Sequence, residues 1–292
     1  MRDSGSMRVL VTGGKGFIGA HLAAELVRRG HDVHASGRAD GDLAAEGVAE
    51  RLVEDSKADA VIHLAARVGR LAGESDPLET ARQNAGVTLL VARACAARGV
   101  RLAYGSTSEV YGNRGEPPVP EDDPVLAPPD SVYGLSKRWG EEAALLHCPD
   151  AVLLRFCMPY GPGVQPGRGR GAITTMLGQA LQRSPIPAYR GVERSWCWIG
   201  DAARGAALAL ESGSPGAWNV GRDDAHVSMA EVARLACRLA EAPEELVEEV
   251  DPPAGLAPGH RIATRKLDGL GWQPEVDLEE GMRRTLDWLR AG

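Results

Sequence analysis

Thr12-Gly13-Gly14-Lys15-Gly16-Phe17-Ile18-Gly19 is the stretch on which the reading of this chain turns. It follows a stretch over residues 7–11 that reads as the first strand and opens an amphipathic stretch from Phe17 to about residue 29, where Gly30 stops it. A strand, a tight glycine turn and a helix in that order bring backbone N–H groups and a helix N-terminus to one point, an arrangement that receives a pyrophosphate. The glycines recur as G-x-x-G-x-x-G, and the flanking elements give the motif a weight that glycine spacing alone lacks. Gly13, Lys15, Gly16, Phe17, Ile18 and Gly19 are the expected dinucleotide-binding residues.

Outward from this loop, short apolar runs alternate with helical stretches. Residues 33–36 and 60–64 read as strands, 88–98 as a helix, and 100–104 as a strand that runs into Gly105-Ser106-Thr107. The alternation predicts an α/β fold with a Rossmann-type, doubly wound parallel sheet. Residues 116–129 carry six prolines and are expected to be loop, before a helix that begins near Ser131. Beyond Arg155 the rhythm turns irregular, with turns at Gly161-Pro162-Gly163 and Pro166-Gly167, a Gly/Arg-rich tract over 167–171 and a helix over 173–182. The expected organisation is a polar N-terminal extension over 1–6, a dinucleotide-binding domain over 7–155, and a smaller, interleaved substrate region over 156–292. Some segments of that region are expected to return to the sheet.

The composition narrows the function classes. A chain of 292 residues, 43% hydrophobic, suits one large domain with a smaller one attached. Its formal charge of −7 comes without a block of like charges, which argues against a nucleic-acid or membrane-surface partner. No apolar run approaches the ~20 residues that span a bilayer, and the start lacks the apolar stretch of a signal peptide. A cytoplasmic protein is expected. Five scattered cysteines without a Cys-x-x-Cys pair predict neither a disulfide framework nor a metal site.

Tyr133 and Lys137 lie four apart, on one face of a helix. A free phenol has a pKa of ~10, and an adjacent ammonium favours the phenolate. Such a pair can exchange a proton with a carbinol while hydride moves to or from a nicotinamide. Upstream, Ser106, Thr107 and Ser108 close a strand at the carboxyl edge, where a hydroxyl can polarise the substrate oxygen or merely form the turn. Glu109 is either a base for proton abstraction beside a carbonyl or a solvated capping residue. At the end of the second strand stands Ser36-Gly37-Arg38, with no carboxylate to repel a 2′-phosphate. Arg38 and Lys15 can both reach that corner, so NADP(H) is expected over NAD(H).

With these residues in place, the chain resembles the extended short-chain dehydrogenases that modify nucleotide sugars, the NAD-dependent epimerase/dehydratase family. The likeness also includes His63-Leu64-Ala65-Ala66, Asn84 with Thr88, Arg155 through Tyr160-Gly161-Pro162, Arg194 with Asp201, Trp218-Asn219-Val220-Gly221 and Leu270-Gly271-Trp272-Gln273-Pro274. The resemblance implies Thr107 as the catalytic hydroxyl and Tyr133 with Lys137 as the acid/base pair. It implies Leu64, Ala65 and Ala66 along the dinucleotide, and Arg194 and Arg261 on the diphosphate or sugar, with Ser108 and Met158 also on the substrate side. Relatives pair through helices that include the one bearing Tyr133, so a homodimer is implied.

Subfamily signals diverge. The segment Ser106 to Gly112 and His260-Arg261 are similar to UDP-glucuronate decarboxylases, whereas Ser108 stands where dTDP-glucose 4,6-dehydratases carry an acid. The short span between Arg38 and Ala60, and Ala65-Ala66-Arg67-Val68-Gly69, look like GDP-fucose synthase and other NADPH-using 4-keto sugar reductases. Glu109 falls where that synthase has a cysteine, and Met158 where many members place an asparagine. The expected activity is NADP(H)-dependent hydride transfer at C4 of a nucleotide-linked sugar, by 4-keto reduction, epimerisation or both. The alternatives are a redox-neutral 4-epimerase or decarboxylase that retains NAD, and a cofactor-binding regulator without turnover.

Overall fold

A computed structural model describes residues 5–112, 114–125, 129–167, 171–224, 226–253 and 259–292. Residues 1–4 of the polar extension, Pro128, and residues 168–170 of the Gly/Arg-rich tract lie outside the described residues.

Six strands make the central sheet: β1 (Arg8–Thr12), β2 (Asp32–Ser36), β3 (Ala60–His63), β4 (Arg101–Thr107), β5 (Val152–Phe156) and β6 (Gly216–Val220). All pair in parallel, in the order β6-β5-β4-β3-β1-β2. A parallel sheet is covered on both faces, and β3 and β5 are accordingly apolar runs, apart from His63 and Arg155, that are buried throughout. Helices α1 (Phe17–Arg28) and α6 (Ile199–Ser212) pack Leu22, Leu26, Ala206 and Leu210 on one face. Helices α2 (Val48–Ser56), α3 (Val87–Ala96) and α4 (Val132–His147) pack Val53, Val91 and Ala144 on the other. The fold is a Rossmann-type, doubly wound sheet. Its order reverses at β1, which has β2 on one side and β3 on the other, and a ligand crevice opens outside the carboxyl ends at such a switch.

A second core gathers helices α5 (Ala172–Leu181), α7 (Met229–Leu239) and α8 (Leu278–Ala291) around Trp196, Ile173 and Val232. Between these helices in sequence, α6 and β6 return to the main sheet. Asp201 on α6 fastens the C-terminal segment by accepting the Glu275 and Val276 N–H groups at 3.1 Å each. The turn at Gly161-Pro162-Gly163 rests on α1, where the His21 Nε2–H donates to the Pro162 carbonyl at 2.9 Å.

The proline-rich stretch departs from the loop expected over 116–129. Residues Gly115–Val119 form a strand that pairs in parallel with His260–Ile262. A two-stranded pair leaves one edge of each strand unpaired, so prolines without an N–H are tolerated there. Ser131, at the expected helix start, is the N-cap of α4, its Oγ accepting the Gly134 N–H at 2.9 Å.

Candidate active site

The glycine loop leaves β1 at the switch point and folds against β3. Gly13 has φ +69°, and a Cβ there would stand 2.7 Å from the Ala65 nitrogen; a Cβ on Gly19 would stand 2.1 Å from the Gly13 carbonyl. Side chains at either position would break the turn, so glycine is required for the approach. The start of α1 carries no side-chain cap, which leaves its first N–H groups directed at the cradle. Gly13 thus lies against Leu64 and Ala65, with Ala66 next in sequence, while Gly16 and Gly19 close on Gly13 and Phe17 and Ile18 open α1, and the arrangement fits a dinucleotide. Asn84, in a single π-helical turn (Arg82–Gly86), pins the loop after β3 to the next helix: it bonds the Arg67 N–H and carbonyl at 2.8 and 2.9 Å and Ser136 Oγ at 2.8 Å.

The corner beyond β2 corrects the expectation of no carboxylate. Asp40 lies in a 3-10 turn (Arg38–Asp40), accepts the Gly37 N–H at 2.8 Å and pairs with Lys15 at 3.3 Å. The carboxylate escapes a reading of the strand end because the turn folds it back from four residues past Ser36. Its pKa is lowered by the Gly37 N–H and then by Lys15. Arg38 is exposed at the same corner.

Three consecutive residues at the end of β4 each engage α4. The Gly105 carbonyl accepts from Lys137 Nζ at 2.5 Å, Ser106 Oγ donates to Glu141 at 2.6 Å, and Thr107 shares a hydrogen bond with the Tyr133 phenol. Thr107, Tyr133 and Lys137 are therefore brought together. Lys137 differs from its expected placement: its ammonium lies over the Tyr104 ring at 4.7 Å and on the Gly105 carbonyl, while the phenol has Thr107 and Glu109 for neighbours. Burial, then the charge of Glu109, pushes the Tyr133 pKa well above the ordinary phenol value, against the Thr107 hydrogen bond. Burial pulls Lys137 down to about 7, against the charge of Glu141.

Glu109 is half-buried and accepts from Ser131 Oγ at 2.7 Å. Burial raises its pKa, and the Ser131 bond and the Arg70 charge oppose the rise. Arg194 faces the same carboxylate across the site and donates to the Glu193 carbonyl at 2.7 Å. Ser108 is buried and hydrogen-bonds the Cys157 thiol. Met158 follows with φ +40°, a left-handed conformation that asparagine adopts far more readily than an unbranched apolar residue. Arg261 forms an ion pair with Asp223 at 2.7 Å, on the strand beside Glu193–Ser195.

Sequence reasoning overlooked Ser131 as the bridge to Glu109, and Glu141. Glu141 had a usable signal, since it continues the 133/137 face by one more turn. Among the described residues no cluster of metal-ligating side chains occurs, and no helix is long and apolar enough to cross a membrane.

The chain and its fold have counterparts among known proteins. Over 97% of its length the chain is 28% identical to 72% of UDP-glucuronic acid decarboxylase 1 of Xenopus tropicalis. It is 29% identical to dTDP-glucose 4,6-dehydratase of an Actinoplanes species, covering 98% of each. The crystal structure of Thermus thermophilus UDP-glucose 4-epimerase in complex with NAD superposes with a TM-score of 0.88, at 29% identity, over 97% of this chain and 99% of that one. The model of the NAD dependent epimerase/dehydratase family matches residues 9–221. With the glycine loop, the strand-end hydroxyl and the Tyr-x-x-x-Lys helix in their places, the chain belongs to the NAD dependent epimerase/dehydratase family.

Proposed function

We propose that this protein transfers hydride at C4 of a nucleotide-linked sugar with NADP(H), as a 4-keto reductase, a 4-epimerase or both. The meeting of Thr107, Tyr133 and Lys137 at the end of β4, beside the glycine cradle, carries the reading. A bound dinucleotide supplies or receives the hydride. Tyr133, which burial keeps protonated, gives its proton to the carbonyl oxygen during reduction, and Thr107 steadies that oxygen. Lys137 holds the strand end and offers its charge to the nicotinamide side of the site. The region from residue 156 onward forms the substrate side, with Ser108 and Met158 lining the sugar and Arg194 and Arg261 on the diphosphate.

The exposed guanidinium of Arg38 supports NADP(H), because Asp40 is already occupied by Lys15 and the Gly37 N–H. Titration of NADPH and NADH into the parent and Arg38→Ala tests the cofactor. Arg38→Ala weakens NADPH roughly tenfold or more, through lost charge-assisted hydrogen bonds worth ~1.5–3 kcal/mol. A parent that prefers NADH overturns this choice. For the reaction, NADPH oxidation is followed with 4-keto nucleotide sugars, and isomerisation with their parent sugars; inactivity in both assays sinks the proposal. Homodimerisation through α3 and α4 is supported by exposed Leu89, Trp139 and Leu146.

A second reading, a redox-neutral epimerase or decarboxylase that retains its dinucleotide, is favoured by Glu109. This carboxylate, beside the phenol, is a second acid/base group adjacent to the carbonyl. Stoichiometric dinucleotide in the purified protein selects this reading, whereas a reductase exchanges its cofactor every turnover.

A further inference from the structure

Glu141 is almost fully buried, as is Arg155, and the two form a double contact: Nε to Oε1 at 2.9 Å and Nη2 to Oε2 at 2.8 Å. Ser106 adds a third bond, to Oε1 at 2.6 Å. Ser106 and Arg155 are direct partners across the β4–β5 ladder, so one carboxylate is gripped by two neighbouring strands. Arg155 continues to the Tyr111 hydroxyl at 2.9 Å, which donates to Asn219 Oδ1 on β6 at 2.8 Å. The chain of contacts fixes α4 to three strands of the sheet at the level of Lys137.

A buried ion pair of this kind is expensive. Replacing both partners with apolar groups of similar volume is often neutral or stabilising. Stability alone therefore gives little reason for a carboxylate at this point, one helical turn from Lys137. We infer that Glu141 is a positioning residue, which locks α4 onto the strand end Gly105 to Thr107 and sets a negative charge one helical turn from Lys137. The inference rests on the proposed role of Lys137.

The surroundings of Lys137 leave this task to Glu141. From β3 it is faced by His63, from β4 by the Tyr104 ring and the Gly105 carbonyl, and from its own helix by Glu141. The other charges on elements packed against α4 are engaged elsewhere: Arg70 with Asp130, Glu74 with the Val132 N–H, Glu79 with Arg82, Arg93 with Glu50, and Glu109 with Ser131. The opposing influence on Lys137 against its burial comes from Glu141.

The chain has four lysines, Lys15, Lys57, Lys137 and Lys266, so lysine-selective NMR with labelled Cε carbons resolves their titrations individually. The Lys137 signal is the one missing from Lys137→Met. Glu141→Gln keeps the side-chain volume and removes the charge, and it lowers the Lys137 midpoint by about 1 pH unit. Glu141→Gln combined with Arg155→Met removes the Glu141–Arg155 ion pair whole, so that neither partner is left without the other, keeps the fold, and lowers the midpoint by a smaller amount. The alkaline limb of the turnover profile moves to lower pH with it. A Lys137 midpoint unchanged in the folded double variant overturns the inference. If Lys137→Met keeps its turnover, the catalytic reading of Lys137 falls while the NMR result for Glu141 stands.

Discussion

At Tyr133, burial and the Glu109 charge keep the proton on the phenol, while Thr107 alone draws it the other way. The phenol therefore carries its proton, and on the proposed reaction Tyr133→Phe takes away that proton rather than the binding surface. Tyr133→Phe lowers turnover by ~10²–10⁴ with little change in dinucleotide affinity, read by steady-state kinetics and cofactor titration. A variant that keeps more than a tenth of the parent rate argues against Tyr133 as the acid. The shared helix of Tyr133 and Lys137 and the glycine turn were legible in the sequence because they are local, but the turn of the Lys137 ammonium onto the Gly105 carbonyl was not. The Glu141 contacts were not, since they depend on the register that sets Ser106 opposite Arg155, 49 residues apart. Asp40 was hidden by a turn that reverses the chain.

At the level of elements, α4 is held unusually close to β4. A Cβ on Gly140 would lie 2.1 Å from the Tyr104 hydroxyl and 2.6 Å from its ring carbon. Gly140→Ala therefore forces the helix outward and destabilises by about 1–3 kcal/mol in urea unfolding, despite the better helix propensity of alanine. A neutral or stabilising effect would falsify this account of the contact. Displacement of α4 also moves Lys137 from the Gly105 carbonyl, so activity falls along with stability. The strand Gly115–Val119 shows where sequence patterns give out. Prolines erase the strand signal there, and the pairing partner, His260–Ile262, lies far along the chain. The strand ahead of the glycine loop announced itself, by contrast, through the run Val9-Leu10-Val11 that leads into Thr12-Gly13.

For the molecule as a whole, His63 is a pH-dependent liability. It is fully buried, hydrogen-bonded to Thr12 Oγ1 at 2.7 Å, and its pKa is pulled down to about 3 by burial and then by the Lys137 charge. The unfolded chain takes up a proton near pH 6.5 that the folded chain refuses. The stability it contributes is complete above that pH and is lost as pH falls toward 3. Between pH 7 and 5 the loss is on the order of 2 kcal/mol. Urea unfolding at both pH values measures it, and His63→Asn narrows the difference; an equal difference in the variant removes His63 as its source. The change of rhythm after Arg155 and the expected return of some later segments to the sheet did not say which segments return, because the pairing of β6 with β5 joins residues about 60 positions apart. One contact between the two parts bears on time rather than stability. His21, on the helix that begins at the phosphate cradle, holds the Pro162 carbonyl of the second part. The helix that opens at the cradle is therefore tied to the second part of the chain, and on the proposed function the release of a dinucleotide would be timed by how often that tie parts.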